Sequence, residues 1–440
     1  MLKTNLDYNT LTDYFRSGCK KPTALQIGVE WEKIGIERET GKAIPYSGPR
    51  GVKAIFKALQ DRYGWKPTLS ESGDPVSLKK GPTLITLEPG GQIELSGQQA
   101  SSILENGDEL LQHLNELREV SAPLGIAWLG IGAQPFSRHR DIEWVPKDRY
   151  NIMRERLKDR GELTFAMMKE TASVQVSLDY TDEQDAVEKL RLAMALAPLL
   201  TAMFANSPFE NGERSPYLSR RTHIWLETDP DRTGILWDLF RKPAYSFEDY
   251  TRYALDVPLL FIHRQNRWVG MPSMTFGEFM KNGWGGFEAE KSDWELHLTT
   301  IFLETRLKKY LEIRTMDCQN IPMGLAAVSF VKGLFYSADA RRGAWNLLKD
   351  LSLHERRELR EKAPETALKT PFKGRTLQYA AEALTEMAQS GLGIEEKGFL
   401  EPLKELLAAK RCPAEQLLNC GCDSPDARSK IDRLIECAAI

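Results

Sequence analysis

Three observations on the 440-residue chain predict an α+β fold. Short segments alternate apolar and polar residues with period two, as half-buried strands do. Helical periodicity fills the intervals between them. From Leu347 to Ile440 the chain reads almost wholly as short amphipathic helices, punctuated by Pro364, Pro371, Gly391-Leu392-Gly393 and Pro413. No repeat or Gly/Ser linker divides it, so residues 1–340 are expected to form one interlocked domain and 341–440 a helical subdomain packed on it, with the boundary near Arg341.

The strand-like segments follow in order. Ile27, Val29 and Trp31 alternate with Gly28, Glu30 and Glu32, which sends both carboxylates to one face. The apolar parity then switches to Ile34 and Ile36, so a bulge or strand end is expected near Lys33. In the second segment a Pro89-Gly90-Gly91 turn follows Glu88, and Gln92 and Glu94 oppose Ile93 and Leu95. The third, Ser173 to Asp179, has an all-polar odd face that includes Gln175, and the fourth puts Glu312 and Arg314 opposite Leu311 and Ile313.

If the four segments share a sheet, Glu30, Glu32, Glu88, Glu94, Gln175, Glu312 and Arg314 line one polar surface. Facing carboxylates repel and raise one another's pKa unless cations neutralise them, a pattern suited to hard, oxygen-ligated ions such as Mg²⁺, and through them to phosphate chemistry. Solvated outer strand faces would show the same alternation. No GxxxxGK[ST] is present, and Gly130-Ile131-Gly132 supplies only the first two glycines of a GxGxxG, so Walker and Rossmann enzymes are disfavoured. The run Tyr217 to Trp225, continuing through Asp231-Arg232-Thr233-Gly234, is dense in groups that recognise anions, although adjacent arginines are also ordinary surface residues. His223 alone reads as a structural hydrogen-bonder.

Composition narrows the class. The chain is 42% hydrophobic and 28% charged, and 59 Lys+Arg against 62 Asp+Glu give a formal charge of -3, so no global basic field favours nucleic acid or an anionic membrane. Leu190 to Phe204 stops short of the ~20 apolar residues a span requires and reads as a buried helix. Met1 to Lys21 has no hydrophobic h-region and contains Asp7 and Asp13, which points to a cytoplasmic protein. Cys412, Cys420, Cys422 and Cys437 cluster near the C-terminus without a CxxC pair, which argues against zinc.

Glu30-Trp31-Glu32-Lys33, Leu87-Glu88-Pro89-Gly90-Gly91-Gln92-Ile93-Glu94-Leu95-Ser96, Ser219 to Trp225, Tyr253 to Pro258, Asp293 to Phe302 and Leu311 to Arg314 occur in an order that resembles glutamate-cysteine ligases of the plant and proteobacterial type. The resemblance implies a glutamine-synthetase-like antiparallel sheet that binds ATP with two or three Mg²⁺ ions. It implies ligation of the γ-carboxylate of L-glutamate to the amine of L-cysteine through a γ-glutamyl phosphate, with ADP and phosphate released, the first step toward glutathione. It implies Glu30, Glu32, Glu88, Glu94 and Glu312 as metal ligands with Gln175 beside them, Lys33 and Arg314 as catalytic phosphate contacts, and Arg221 as the clamp for the α-carboxylate of glutamate. Tyr253 and Trp225 are weaker matches to the amino-acid pockets. Another amine acceptor, or a silent sensor of amino acid or nucleotide, is the alternative reading, and a monomer or homodimer is expected. After Arg314 this chain carries Thr315-Met316-Asp317-Cys318-Gln319-Asn320 where relatives carry a Gly/Ala-rich stretch, and continued strand parity would aim Cys318 into the cleft.

Overall fold

The computed structural model describes residues 6–422 and 426–440. Nine strands build its main sheet: β1 (Ile27–Glu37), β2 (Lys66–Leu69), β3 (Pro75–Lys80), β4 (Thr83–Leu87), β5 (Ile93–Ser96), β6 (Ile126–Leu129), β7 (Val174–Leu178), β8 (Thr305–Leu307) and β9 (Leu311–Ile313). Their order is β8-β9-β7-β1-β5-β4-β3-β2, with β6 alongside the last residues of β1. Every one of these pairings is antiparallel, and helices surround the sheet, so the α+β class is what the chain adopts.

β1 is the spine. Glu30 faces Ser96 on β5 and Gln175 on β7, and Glu32 faces Glu94. The bulge expected near Lys33 is not formed: β1 runs unbroken to Glu37 and exchanges partners there, pairing with β5 as far as Lys33 and with β6 from Ile34. The parity switch has another cause, because the even face left to carboxylates at Glu30 and Glu32 is filled by Ile34 and Ile36, both fully buried.

The odd face of β1 packs against helices. Gly324, on the helix Ile321–Tyr336, lies so close that an added Cβ would meet the Trp31 ring at 2.1 Å. The loop before β5 turns at Glu88 to Gly91, where the Gly91 amide donates to the Glu88 carbonyl at 2.9 Å and Gly91 takes φ +85°. Gln92 secures that loop through a 2.8 Å bond from its amide to the Thr171 carbonyl. Gly130 and Gly132 also serve close packing, since side chains there would strike the Gln319 carbonyl and the Asp317 carboxylate. Leu190 to Phe204 lies within the buried helix Glu183–Phe204, and among the described residues no single helix is long and apolar enough to cross a membrane.

Residues after 340 are mainly helical, with one short hairpin of Pro371–Phe372 and Arg375–Thr376, and share the core, which extends from Leu11 to Ile440. The helix Leu353–Thr366 packs on Glu183–Phe204, and its Pro364 carbonyl accepts the amides of Leu218 and Ser219 at 2.8 and 2.9 Å. The C-terminal residues extend the sheet edge: Ala439 bridges Leu129, and the Ile440 amide donates to Trp128.

Candidate active site

One face of β1, β5, β7 and β9 opens into a cleft of about 230 Å³ lined by Glu30, Glu32, Glu88, Glu94, Gln175, Glu312 and Arg314. All five carboxylates named from sequence therefore share one space. Glu32 is held from both sides, accepting the Ser173 amide at 2.6 Å and the Gln175 side-chain amide at 2.8 Å. Glu94 accepts the hydroxyls of Thr86 and Ser96 at 2.9 and 2.8 Å. Arg314 donates to the Gln175 carbonyl oxygen at 2.5 Å and lies 3.6 Å from Glu312.

Sequence reasoning missed the cations that complete this cleft: Arg306, Lys308, Lys147 and Arg149. Arg306 faces Glu312 directly across β8 and β9, and its guanidinium meets the Glu312 carboxylate at 2.5 and 2.6 Å, with Lys308 at 3.4 Å. The alternation Arg306-Leu307-Lys308 was a legible signal for both. Lys147 and Arg149 enter from the start of the helix Asp148–Leu157, where no periodicity marks them.

These charges divide the cleft. Burial raises the pKa of Glu30 well above the ordinary carboxylate value, and repulsion from Glu94 and Glu312 adds to it. Burial, then Glu88 and Glu94, pushes Glu32 up to about 8, and burial with Glu94 raises Glu88. Glu312 goes the other way, because Arg306, Lys308 and Arg314 together outweigh its burial and hold it well below the usual range. Glu312 is thus already neutralised by protein cations, and as a metal ligand it would have to share its oxygens with Arg306.

Glu30, Glu32, Glu88 and Glu94 offer only oxygen acceptors, and the cations near them are outweighed by burial and mutual repulsion at Glu30, Glu32 and Glu88, which fits a hard divalent ion. Among the described residues no three carboxylate, imidazole or thiol groups converge into a closed cage. Mg²⁺ needs no such cage, since it keeps several waters and takes phosphate oxygens as ligands. A pH dependence follows. Glu32 is protonated in the fold up to about pH 8 but ionises near pH 4.5 when unfolded, so the unfolded chain binds fewer protons between those values and stability falls as pH rises through that window. Added Mg²⁺ should reverse the trend, raising Tm more at pH 8.5 than at pH 6. An equal rise at both pH values would separate the ion from these carboxylates.

A second, smaller cavity adjoins the first and shares Phe302 and Arg314 with it; its other walls include Arg221, Trp225 and Glu304. Arg221 lies in the helix Arg220–Leu226, buried, with its terminal nitrogens donating to the carbonyls of Thr315 and Arg314 at 2.9 and 2.7 Å. Its Nε and the indole nitrogen of half-buried Trp225 have no protein acceptor. Asp317 fixes the loop beneath, accepting from Asn206, Ser207 and Ser219. The segment after Arg314 is therefore a support for Arg221. Of the other groups in the anion-recognising run, Arg220 is tied to Glu170 and Arg232 to Asp229, while His223 stacks on Tyr217.

Three expectations do not survive the geometry. Lys33 has odd parity in β1 and so lies on the opposite face from Glu30 and Glu32. It is fully buried, donates to the Trp31 carbonyl at 2.6 Å, and has its pKa lowered by burial to about 8, so it is no phosphate contact in this cleft. Tyr253, on the helix Phe247–Asp256, packs beside Tyr250 with its hydroxyl 3.5 Å from the Asp231 carbonyl and lines neither cavity. Cys318 does not reach the cleft because β9 ends at Ile313 and parity is lost; its buried thiol donates to the Glu32 carbonyl at 2.8 Å.

The profile of glutamate-cysteine ligase family 2 matches residues 26–436. The chain belongs to that family. Glutamate–cysteine ligase, chloroplastic, of Arabidopsis thaliana is 40% identical over 414 residues, 93% of this chain and 78% of that one. Glutamate–cysteine ligase B, chloroplastic, of Oryza sativa subsp. japonica is 39% identical over 415 residues, 93% of this chain and 83% of that one. The fold is shared with the crystal structure of glutamate–cysteine ligase from Francisella tularensis in complex with AMP, at TM-score 0.53 and 11% identity, covering 94% of this chain and 88% of that one. This member of glutamate-cysteine ligase family 2 is an enzyme, a ligase. The chloroplastic relatives overturn the expectation of a cytoplasmic protein. An address is read by a receptor and leaves no mark on the folded core, so the composition of Met1 to Lys21, of which residues 1–5 lie outside the described residues, could not supply it.

Proposed function

We propose that the two adjoining cavities carry out the family reaction in sequence, with ATP in the carboxylate-lined cleft and the α-amino-acid end of glutamate beside Arg221. The observation that carries this reading is the shared wall: Arg314 and Phe302 border both spaces, so a glutamate held at Arg221 can extend its γ-carboxylate toward the phosphate cleft. The γ-carboxylate attacks the γ-phosphorus of ATP, giving the acyl phosphate and ADP. The cysteine amine then attacks the acyl carbon and expels phosphate. Both steps need alignment and charge neutralisation more than a covalent enzyme group.

Arg314 faces the transferring phosphoryl group, and Arg306, Lys308, Lys147 and Arg149 supply positive charge along the phosphate chain. Glu30, Glu32, Glu88 and Glu94 would hold Mg²⁺, with Glu312 at the margin, and the bound ion would neutralise phosphate and carboxylate oxygens together. Residues 341–440 act in this reading as a subdomain that braces the Arg221 helix through Pro364.

The test is ADP release with glutamate, Mg²⁺ and a panel of amines, with mass analysis of products. Cysteine should give γ-glutamylcysteine, and excess chelator should abolish turnover. Undiminished turnover in chelator sinks the metal assignment, and preference for another amine sinks cysteine as acceptor. Replacing Arg221 with lysine should raise the half-saturating glutamate concentration roughly ten- to a hundred-fold, the equivalent of about 1.5 to 3 kcal/mol for a hydrogen bond to a charged group. The ATP dependence should barely change; an equal rise for both substrates would mean a displaced loop and would remove Arg221 from the glutamate site.

A further inference from the structure

The smaller cavity mixes charges in a way that phosphoryl transfer does not use. Its walls carry two buried donors that have no acceptor among the described residues, the Nε of Arg221 and the indole nitrogen of Trp225, and a carboxylate, Glu304. Glu304 stands where three segments join. Its amide donates to the Gly234 carbonyl at 2.9 Å and its carbonyl accepts the Arg314 amide at 3.0 Å, which ties the paired strands Thr233–Gly234 and Phe302–Leu303 to the residue that follows β9.

The Glu304 side chain is only loosely matched by protein. Among the described residues its one ion pair is with Arg360, on the helix Leu353–Thr366, at 3.5 Å. Glu312, by contrast, has Arg306 at 2.5 Å with Lys308 and Arg314 behind it. The Arg360 Nε has no protein acceptor, and Gly234, at φ +88°, leaves the room that this guanidinium needs, since a Cβ there would lie 3.0 Å from its terminal nitrogen. With 11% of its side chain exposed on the wall of the cavity, Glu304 keeps acceptor capacity that one long contact does not fill.

An α-amino acid presents a carboxylate and an ammonium on one carbon. The free donors of Arg221 and Trp225 suit the first, and Glu304 suits the second. We propose that Glu304 is the specificity-determining residue that receives the α-ammonium of the amino-acid substrate, with Arg360 as the positioning residue that orients it. The assignment rests on the reading of Arg221 as the α-carboxylate clamp, and adds to it a means of telling an amino acid from a plain dicarboxylate. A dicarboxylate of equal length brings only C–H bonds to Glu304 and leaves a desolvated carboxylate without its cation. The loose fit of Arg360 serves the same end. A guanidinium in close contact would neutralise Glu304, whereas one at 3.5 Å orients the carboxylate and leaves net attraction for a second cation.

The probes are L-glutamate and glutarate, which has the same two carboxylates and no ammonium. ADP release by the full chain with Mg²⁺, ATP and cysteine yields the KM for glutamate and the inhibition constant of glutarate competing with it. The unaltered chain should bind glutarate at least about tenfold more weakly than glutamate, and equal binding overturns the proposal. Glu304→Gln should raise the KM for glutamate roughly ten- to a hundred-fold, the loss of a hydrogen bond to a charged group, while glutarate binds as before or more tightly. Arg360→Gln should raise the same KM by a smaller factor with less change in kcat, and Arg360→Lys should recover part of the loss. Arg221→Lys, in contrast, should weaken glutamate and glutarate together, because both carry the carboxylate it clamps. A Glu304→Gln variant that weakens both ligands equally, or keeps its glutamate KM within about threefold of the parent, removes Glu304 from ammonium recognition and leaves the Arg221 reading standing. An Arg221→Lys variant that changes neither ligand overturns the glutamate site itself, and this assignment with it. Melting of each variant checks its fold; if Glu304→Gln is unfolded, the two Arg360 variants decide, and equal effects on both ligands overturn the proposal.

Discussion

Replacing Arg306 with glutamine is expected to remove about 3 to 5 kcal/mol of folding stability, the cost of stranding one member of a buried ion pair. Glu312 has no solvent exposure, and Arg306 supplies its two short contacts, while Lys308 and Arg314 stand farther off at 3.4 and 3.6 Å. Glu312→Gln is expected to be destabilising too, because it leaves three cations facing an uncharged amide, so loss of activity in that variant would mix folding with chemistry. The double replacement separates them. With both charges gone, much of the stability should return, so the double loss falls well short of the sum of the single losses and the coupling energy is opposite in sign to them and of the same order. Denaturant unfolding of the four proteins measures it. Single variants within about 0.5 kcal/mol of the parent, the range of ordinary surface changes, would show that Glu312 reaches solvent or another cation.

Arg314→Lys is expected to lower kcat by a factor on the order of 10² to 10³, the usual loss on removing one preorganised donor to developing charge. The planar guanidinium spans Gln175 and Glu312 from the border of the two cavities, and an ammonium on a flexible stem cannot hold both contacts. Stability should change far less than in Arg306→Gln. Single-turnover ADP formation from glutamate and ATP is the deciding measurement. Unimpaired ADP formation with slowed dipeptide formation would move Arg314 from phosphoryl transfer to the amine step.

Much of this site could be read from period two. In β1, β5 and β9 the parity of Glu30, Glu32, Glu94 and Glu312 fixes their face before any partner strand is known, and the sheet then brings those faces together. Lys33 shows where motif adjacency misleads: it sits beside Glu32 in sequence, yet its own parity placed it on the other side of the sheet. Cys318 fails for a related reason, since parity holds only while a strand lasts and β9 stops at Ile313. Lys147 and Arg149 had no local signal, because tertiary packing alone brings the start of their helix over the cleft. Asp317 was equally hidden, as its role depends on loops 98 to 111 residues distant in sequence.

The wall that Arg314 and Phe302 form between the two cavities has a thermodynamic consequence. A ligand on either side that draws the guanidinium toward itself changes what the other side meets, so the two affinities are linked. Linkage is reciprocal: whatever factor glutamate applies to nucleotide affinity, nucleotide must apply to glutamate affinity. A coupling of the ordinary size, about 1 to 3 kcal/mol, would make each substrate tighten the other roughly 5- to 150-fold. Occupancy of the cleft would then report on the presence of glutamate, and nucleotide would engage tightly only when an acceptor for its phosphoryl group is in place.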